Sequence, residues 1–401
     1  MTALESVVMN TYARTEVCFV RGEGSTLWDD TGKEYLDCLG GLAVTALGHA
    51  HPAVTQAIQS QAARLMHVSN LFENEHHRVV ASKLNVLLGD EGAVLFQNSG
   101  AEANEAAIKL ARRFGQLNGG PSRYQIVTAL GSFHGRTMMT LAATGQPAKQ
   151  ETFAPMPDGF RHVAFGDIDA LRTAMTPDVA AVMLEPIQAE GGVIVPPTGY
   201  LKAVRELCDE HEALLILDEV QTGLGRSGHW FAHQAEGVRP DIVTIAKALG
   251  NGMPIGAMWA CSEIAEVLRP GDHGTTFGGQ PLATAAARAV LETLEAIDAP
   301  ALASNKGERL AGLLKDVPGV VDVRGAGLLL AALLDAPIAS EVAREALSLG
   351  LVVNAVTPTA IRFAPAFTIT EQELTEAVGR FVRALAVVNS QHPDASGGVS
   401  K

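Results

Sequence analysis

The stretch LLILDEVQTG, residues 214–223, decides the fold of this chain. Four apolar residues lead directly into Asp218 and Glu219, and a short run that is apolar on both faces is typical of a buried strand in a parallel sheet. Six similar runs in the same part of the chain are predicted as strands, over residues 93–97, 124–128, 162–165, 180–184, 242–246 and 255–260.

Several of these runs are separated by segments whose apolar residues recur at helical spacing, such as residues 101–114 and 200–211. Alternating strands and helices predict an α/β fold with a mostly parallel, seven-stranded sheet. From about residue 286 the pattern changes to longer helices, predicted over residues 287–297, 306–314, 338–349 and 371–386. Strands predicted around residues 320–334, 351–356 and 361–363 lie among them, so a smaller α+β domain is expected at the C-terminal end.

The composition favours small-molecule ligands. The chain has 401 residues, of which 47% are hydrophobic and 18% charged, and its formal net charge is −14. Such an acidic balance opposes binding to nucleic acid or to an anionic membrane surface. The N-terminus lacks a secretory signal pattern, and no stretch approaches the roughly 18 apolar residues of a membrane span, so a cytoplasmic protein is expected. The four cysteines have no zinc-site spacing, and no metal is expected.

Two strand ends carry side chains suited to chemistry, because ligands bind at the carboxyl ends of parallel strands. Asp218 in that position is a metal ligand, a partner for a cationic group of a ligand, or a helix cap. Lys247 follows the strand predicted over residues 242–246, and burial would favour its neutral amine, as Schiff-base chemistry requires. The alternative is a lysine whose ammonium reaches solvent.

Two further segments add to this set. In QNSGAEANEAAIKLARRF, from Gln97, a turn opens a helix, and the amides of Ser99, Gly100 and Ala101 would point at one anion. Asn98 and Ser99 are also good helix caps. The segment SFHGRT supplies an aromatic face, Phe133, and a carboxylate-binding arginine, Arg136.

Together, an activated lysine, a carboxylate, an anion site, an aromatic face and arginines fit pyridoxal 5′-phosphate. The chain resembles the class III aminotransferases of fold type I, and among them the acetylornithine aminotransferases of arginine biosynthesis. The matching blocks are GGLAVTALGHAHPAV, NSGAEANEAAIKLAR, SFHGRT, LEPIQAEGGV, LLILDEVQTGLGRSG, DIVTIAKALGNGMPIGA, HGTTFGGQP and IRFAPAF, in the family's order along nearly the whole chain.

The resemblance implies a role for individual residues toward the cofactor. Lys247 would bind the cofactor aldehyde and carry the proton, and Asp218 would pair with the pyridine nitrogen. Further cofactor contacts are expected at Ser99, Gly100, Ala101, Phe133, Glu219, Val220 and Gln221. Thr276 resembles the phosphate ligand that this family donates from the partner subunit, which implies a homodimer with shared active sites.

For the substrates, the resemblance assigns Arg136, helped by Thr275, to the carboxylate of acetylornithine. Arg362 would bind the α-carboxylate of glutamate or 2-oxoglutarate, and Glu190 would cover Arg362 while a terminal amine is bound. The implied reaction moves the terminal amino group of N2-acetyl-L-ornithine to 2-oxoglutarate, giving N-acetyl-L-glutamate 5-semialdehyde and L-glutamate by a ping-pong mechanism. Gln280, Ala189 and Asn251 depart from the family pattern.

The resemblance also implies a domain organisation. An N-terminal segment, residues 1–45, would pack with the small domain, and residues 46–285 would form the large cofactor-binding domain. Residues 286–390 would form the small domain, and residues 391–401 a flexible tail.

Other activities stay open at this point. Ornithine, succinylornithine, 4-aminobutyrate and succinyldiaminopimelate aminotransferases share the same skeleton. A remote alternative is an NAD-dependent oxidoreductase, because residues 223–228, GLGRSG, match a dinucleotide-binding GxGxxG pattern. Asp218 and Glu219 just before these glycines would repel a pyrophosphate, which argues against that alternative.

Overall fold

A computed structural model describes residues 7–391; the predicted tail, residues 391–401, lies outside this range apart from its first residue. The strands within the described range are, in chain order, β1 (Phe19–Glu23), β2 (Thr26–Asp29), β3 (Glu34–Asp37), β4 (Gly92–Gln97), β5 (Gln125–Ala129), β6 (Phe160–Val163), β7 (Val179–Leu184), β8 (Leu214–Asp218), β9 (Ile242–Ile245), β10 (Gly256–Cys261), β11 (Val320–Ala326), β12 (Leu329–Leu334), β13 (Leu351–Val352), β14 (Asn354–Thr357) and β15 (Ala360–Phe363).

The helical segments of the same range vary from one turn to 21 residues. They are α1 (Gly40–Ala43), α2 (Pro52–Ala62), α3 (Glu75–Leu88), α4 (Gly100–Gly119), α5 (Met138–Ala143), α6 (Pro147–Gln150), α7 (Ile168–Ala174), α8 (Tyr200–Glu210), α9 (Pro281–Ala296), α10 (Ala299–Lys315), α11 (Ala339–Ser348) and α12 (Glu371–Gln391).

The seven-stranded sheet confirms the predicted α/β fold. Its order is β4-β10-β9-β8-β7-β5-β6, and every pair is parallel except the two that β10 makes with β4 and β9. Along β8, Leu214 and Ile216 pack into one core with α4, whereas Leu215 and Leu217 pack into a second core with α8. Both faces of the sheet are therefore buried, which is why its strands are continuously apolar.

Two smaller sheets connect the ends of the chain. One has the order β1-β2-β3-β13, in which β3 pairs in parallel with β13, and the other is an antiparallel sheet of order β11-β12-β15-β14. The segment after β3 is held in the same way, because the amide of Ala364 donates to the carbonyl of Cys38 at 2.7 Å. The N-terminal segment is thus hydrogen-bonded to the C-terminal part of the chain.

Several predicted element bounds differ from the structure; α4 and α12, for example, run on to Gly119 and Gln391. The strand predicted over residues 162–165 is β6, Phe160–Val163, because its pairing with β5 runs from Phe160 to Val163. Helix α9 begins at Pro281 and α10 at Ala299, both earlier than predicted, and each has a proline in its first turn. The domain boundary predicted between residues 285 and 286 falls inside α9, so we propose placing it at Ile297, where α9 ends.

The four cysteines, all within the described range, are free. Of the helices between residues 7 and 391, none combines the length and the apolar character that crossing a membrane requires.

Candidate active site

A cavity of about 400 Å³ lies where β8 and β9 end, the edge at which parallel α/β sheets bind ligands. Its volume is suited to a small molecule. Most of the predicted site residues line it, namely Ser99, Gly100, Ala101, Phe133, Arg136, Glu190, Asp218, Val220, Gln221 and Lys247. The structure therefore brings together residues from segments that lie up to about 150 positions apart in the chain.

Asp218 ends β8 and is buried, and its carboxylate is fixed by three hydrogen bonds. The side-chain amide of Asn104 donates to Oδ2 at 2.8 Å, and Nδ1 of His134 lies 2.8 Å from the same oxygen. The N–H of Val220 donates to Oδ1 at 3.1 Å. The three bonds fix the orientation of the carboxylate, and a carboxylate held in this way is suited to pair with a cationic ring nitrogen.

Asn104 and His134 are not among the site residues predicted from the sequence. Both stand inside motifs that were singled out, NSGAEAN and SFHGRT, but a residue type alone does not show that two side chains meet a third at residue 218. Since His134 and Asn104 are themselves buried, they hold Asp218 in one orientation.

Lys247 lines the cavity just after β9 and opens a short 3-10 turn. Its φ of 42° is left-handed, a strained conformation for a residue with a Cβ atom and one found mainly at functional sites. Burial lowers the pKa of its amine; the guanidinium of Arg362 lowers it further, while the carboxylates of Glu190, Asp218 and Glu185 oppose this. An amine shifted in this direction is a better nucleophile and proton acceptor near neutral pH.

The predicted anion site lies at the N-terminus of α4. The alternative of a helix cap is confirmed for Ser99, whose Oγ accepts from the N–H of Glu102 at 3.2 Å. Gly100 and Ala101 begin the helix, so their N–H groups have no carbonyl one turn earlier. A Cβ atom on Gly100 would lie 2.8 Å from Cγ1 of Val220, so glycine lets the turn approach that residue. These two amides lining the cavity are suited to a phosphate.

The segment after β5 carries Phe133 and Arg136 into the cavity. The guanidinium carbon of Arg136 lies 5.7 Å from the centroid of the Phe133 ring. Glu185, a buried residue absent from the sequence-based set, accepts a hydrogen bond from the N–H of Phe133 at 2.9 Å. Burial raises the pKa of Glu185 to about 7, and the charge of Asp218 contributes.

Arg362, in β15, is fully buried behind the cavity wall. Its Nη1 donates to Oε1 of Glu190 at 2.6 Å and to Oε1 of Gln221 at 2.9 Å, and its Nε donates to Asn354 at 3.2 Å. Burial alone would raise the pKa of Glu190, but the guanidinium of Arg362 outweighs it and lowers that pKa. Glu190 therefore covers the arginine as an ion pair.

Besides Arg362, three predicted residues do not line the cavity of the chain that carries them. The carboxylate of Glu219 faces elsewhere: Nδ1 of His233 lies 2.8 Å from it, and Thr222 donates to it. Thr275 and Thr276 lie on the loop before α9, where Oγ1 of Thr275 accepts from Asn98 at 3.2 Å. The three assignments remain predictions.

Two of the departures from the family pattern have a visible role in packing. Oε1 of Gln280 accepts from the N–H groups of Val68 and Ser69, at 2.9 and 3.1 Å. Asn251 binds the backbone of the segment after α1. Its Oδ1 accepts from the N–H of Leu47, and its Nδ2 donates to the carbonyl of Gly48. Each amide thus joins two segments that are distant in the chain.

The GxGxxG pattern does not form a dinucleotide site. Residues 219–231 are turns, and the element after them is a 3-10 turn, Ala232–Glu236, rather than a long helix opening at the glycines. A dinucleotide site needs such a helix N-terminus at the pyrophosphate.

Comparisons with known proteins agree with this site. The model of the family "Aminotransferase class-III" matches residues 7–385. The chain is 48% identical over 400 residues to an acetylornithine aminotransferase of Corynebacterium efficiens, covering 97% of this chain and 98% of that protein. It is 50% identical over 378 residues to one of Streptomyces coelicolor, covering 94% and 92%.

Solved structures give the same result. An N-acetylornithine aminotransferase of Stenotrophomonas maltophilia superposes with a TM-score of 0.83 at 40% identity, covering 95% of this chain and 98% of that chain. An ornithine aminotransferase of Toxoplasma gondii superposes with a TM-score of 0.92 at 33% identity, covering 98% and 94%. With this fold, this cavity and these relatives, the chain belongs to the class-III aminotransferases.

Proposed function

We propose that the chain is a pyridoxal 5′-phosphate-dependent acetylornithine aminotransferase of arginine biosynthesis. It moves the terminal amino group of N2-acetyl-L-ornithine to 2-oxoglutarate, and the products are N-acetyl-L-glutamate 5-semialdehyde and L-glutamate. The observation that carries the proposal is a cavity lined by Lys247, by the exposed Arg136 and by Glu190, the carboxylate that covers the buried Arg362 behind the wall. Relatives that share about half of the sequence bear the name of this activity.

The residues present fit the cofactor. Lys247 would hold its aldehyde, Asp218 its ring nitrogen and Phe133 one face of its ring, while the N–H groups of Gly100 and Ala101 would hold its phosphate. Bound pyridoxal phosphate supplies an aldehyde for the substrate amine and a ring that stabilises negative charge on the neighbouring carbon. The carboxylate of Asp218, held by Asn104 and His134, would lie opposite a protonated ring nitrogen and complement its positive charge.

Lys247 performs the proton transfers. In the first half-reaction the neutral Nζ would take a proton from the δ-carbon of the donor and return a proton on the cofactor side. In the second half-reaction Nζ would work in the opposite direction and deliver a proton to the α-carbon of 2-oxoglutarate, which becomes the α-carbon of L-glutamate. The lowered pKa of Lys247 increases the neutral fraction of its amine.

Each half-reaction needs a different charge on the cavity wall. N2-acetylornithine presents a terminal amine with no carboxylate beside it, so a bare Arg362 would be an unpaired buried charge, and Glu190 covers it. Glutamate presents an α-carboxylate, which replaces Glu190 on the guanidinium. Arg136 is exposed at the cavity and binds the carboxylate at the other end of either substrate.

Lys247→Ala tests the cofactor proposal. The wild-type protein should absorb visible light as a yellow holoenzyme, and its spectrum should change when glutamate is added. The variant should lose this change and at least about 1,000-fold in kcat, since it loses both the nucleophile and the proton carrier. Lys202→Ala, an exposed lysine on α8, is the control. A colourless protein that binds NAD would contradict the proposal.

The donor is identified by comparing kcat/KM for N2-acetylornithine, succinylornithine, ornithine, 4-aminobutyrate and succinyldiaminopimelate, with 2-oxoglutarate as acceptor. The highest value is expected for N2-acetylornithine. A higher value for another amine would reassign the enzyme to that substrate and keep the reaction type.

Glu190→Ala tests the exchange of charge at Arg362. Without the covering carboxylate, kcat/KM for glutamate should rise relative to that for N2-acetylornithine by about tenfold, since one buried ion pair no longer competes with the α-carboxylate. An unchanged ratio between the two substrates would overturn the switch while leaving the reaction in place.

We further propose a homodimer in the cytoplasm with active sites shared between subunits. The side chains of Leu71, Phe72 and Phe277 are 86%, 64% and 68% exposed, an unusual extent for large apolar groups. Their two segments form one surface, because Asn70 donates to the carbonyls of Thr275 and Gly278, both at 3.0 Å. A second copy on this surface would receive Thr276 at its phosphate site.

Subunit mixing tests the shared site. Lys247→Ala and Thr276→Val chains should each be impaired as homodimers, but a mixed dimer would hold one site with both native residues. Refolding an equal mixture should restore up to about a quarter of wild-type activity. No recovery would place Thr276 in the site of its own chain, and a monomer in analytical ultracentrifugation would overturn the dimer.

A further inference from the structure

Lys149 has no part in the site described so far, yet it lies beside it. It belongs to the short helix α6, and its Nζ is 5.3 Å from the centroid of the Phe133 ring. Arg136 lies 5.7 Å from the same centroid. Both cations therefore lie within 6 Å of one ring centroid. Phe133 and Arg136 line the cavity, and Lys149 lies beside this part of the lining.

The position of Lys149 is fixed by its surroundings. Its ammonium donates to Oε1 of Gln146, and Nε2 of Gln146 donates to the carbonyls of Gly131 and Ser132, at 3.3 and 3.0 Å. Those two residues directly precede Phe133. Lys149 is thus attached to the same loop that carries the aromatic ring and Arg136.

The charge of Lys149 is not compensated by a close carboxylate. In the part of the chain that the structure describes, neither Lys149 nor Arg136 forms an ion pair, and the hydrogen bond of Lys149 is to a neutral amide. Lys149 is half-buried; burial and the charge of Arg136 lower the pKa of its ammonium, while Glu190 and Glu185 act in the opposite sense from the cavity.

Two like charges held together at a cavity have an unfavourable energy that a bound anion would relieve. A lysine that served only to cover the ring would be free to extend into solvent. The chain as a whole carries a net charge of −14, so a local pair of cations is what makes this place attractive to a carboxylate.

We propose that Lys149 is the second cation of the distal carboxylate site and that, with Arg136, it binds the α-carboxylate of the amine donor and the γ-carboxylate of 2-oxoglutarate. The proposal rests on the proposed function for the identity of the donor. Lys149 is a specificity-determining residue in this proposal: it favours amines that carry a carboxylate at the end remote from the reacting nitrogen.

The test compares two donors that differ only in that carboxylate, N2-acetylornithine and N-acetylputrescine. In Lys149→Met, kcat/KM for N2-acetylornithine should fall about tenfold, mainly through KM, whereas the value for N-acetylputrescine should change less than about twofold. Lys149→Arg should restore most of the loss. Lys202→Met makes the same chemical change on the exposed face of α8 and should leave both values unchanged.

A second measurement does not depend on the identity of the donor. Glutarate has the two carboxylates of 2-oxoglutarate and no keto group, and its Kd for the holoenzyme can be measured by calorimetry. Lys149→Met should weaken glutarate binding about tenfold, and added salt should reduce the difference between wild type and variant.

Several results would overturn the proposal. Equal losses for both donors would mean that Lys149 supports the Phe133 loop, and unchanged values for glutarate and N2-acetylornithine would mean that it binds no carboxylate. If the wild-type enzyme does not accept N2-acetylornithine, the proposed function fails, and the glutarate measurement alone decides the role of Lys149.

Discussion

At the scale of single residues, Glu185 contacts the candidate cofactor site and also makes the stability of the fold depend on pH. Its carboxyl group is buried and holds the N–H of Phe133, and burial raises its pKa to about 7 from 4.5. Between these two values the unfolded chain has lost the proton while the folded chain still holds it. The free energy of unfolding contributed by Glu185 therefore falls as the pH rises through this window.

Glu185→Gln should remove this dependence. The difference in unfolding free energy, wild type minus variant, should fall from pH 4.5 to pH 7 by up to about 3 kcal/mol, measured by urea denaturation at a series of pH values. Glu206→Gln, an exposed carboxyl on α8, is the control and should give a nearly constant difference. A constant difference for Glu185→Gln would show that folding does not raise the pKa of Glu185.

At the scale of elements, the approach of β10 to α4 sets the position of the anion site. Gly256 in β10 pairs with Gln97 of β4, and a Cβ atom at residue 256 would lie 2.3 Å from the carbonyl oxygen of Ser99. Because both groups are backbone, a side chain larger than hydrogen must displace the turn that starts α4.

Gly256→Ala should therefore weaken cofactor binding more than it weakens the fold. We expect the Kd for pyridoxal phosphate, measured by equilibrium dialysis, to rise at least about tenfold as the amides of Gly100 and Ala101 shift. Gly312→Ala lies in an exposed part of α10 where a Cβ atom meets nothing within 4 Å, and it should be neutral or stabilising by up to about 1 kcal/mol. Unchanged cofactor affinity in Gly256→Ala would contradict this account.

The backbone conformation of α1 depends on contacts with other parts of the chain. Its four residues all have positive φ, from 57° to 72°, including Leu42 and Ala43, for which the left-handed region costs about 1–2 kcal/mol each. Hydrogen bonds from Leu39 and Gly40 to Oδ1 of Asp37 hold its start. Glycine adopts a positive φ readily, as Gly40 and Gly41 do here, but only contacts with the rest of the molecule force Leu42 and Ala43 into that conformation.

At the scale of the whole molecule, Arg226 connects the loop after β8 to the C-terminal sheet. It is fully buried, and its Nη1 donates to the carbonyls of Leu328 and Pro365, at 3.1 and 2.5 Å. Its guanidinium carbon lies 4.6 Å from the centroid of the Phe367 ring, and burial lowers its pKa to about 9.

Arg226→Ala should reduce the free energy of unfolding by about 3 kcal/mol or more, because it leaves two buried carbonyls without a partner and opens a cavity. Urea denaturation followed by circular dichroism would measure this. Arg113→Ala, on an exposed part of α4, should change stability by less than about 0.5 kcal/mol. A comparably small effect at Arg226 would mean that the two parts of the chain are held together by other contacts.

The sequence by itself determined the α/β fold and its seven strands, and it predicted Asp218 and Lys247 as functional side chains at strand ends. These follow from information that is local in the chain: a strand buried on both faces is continuously apolar, and functional side chains follow it directly. The anion site at α4 is local for the same reason, since a strand, a turn and a helix N-terminus are consecutive.

Only the tertiary structure decided which side chains meet. Asn104 and His134 on Asp218, Glu190 on Arg362 and Lys149 beside Arg136 are contacts made across turns, sheets or long stretches of chain. Burial, which sets the pKa of Glu185 and Lys247, is likewise a property of packed neighbours rather than of residue type. The distance between two side chains depends on how the helices and strands pack, and no spacing along the chain encodes it.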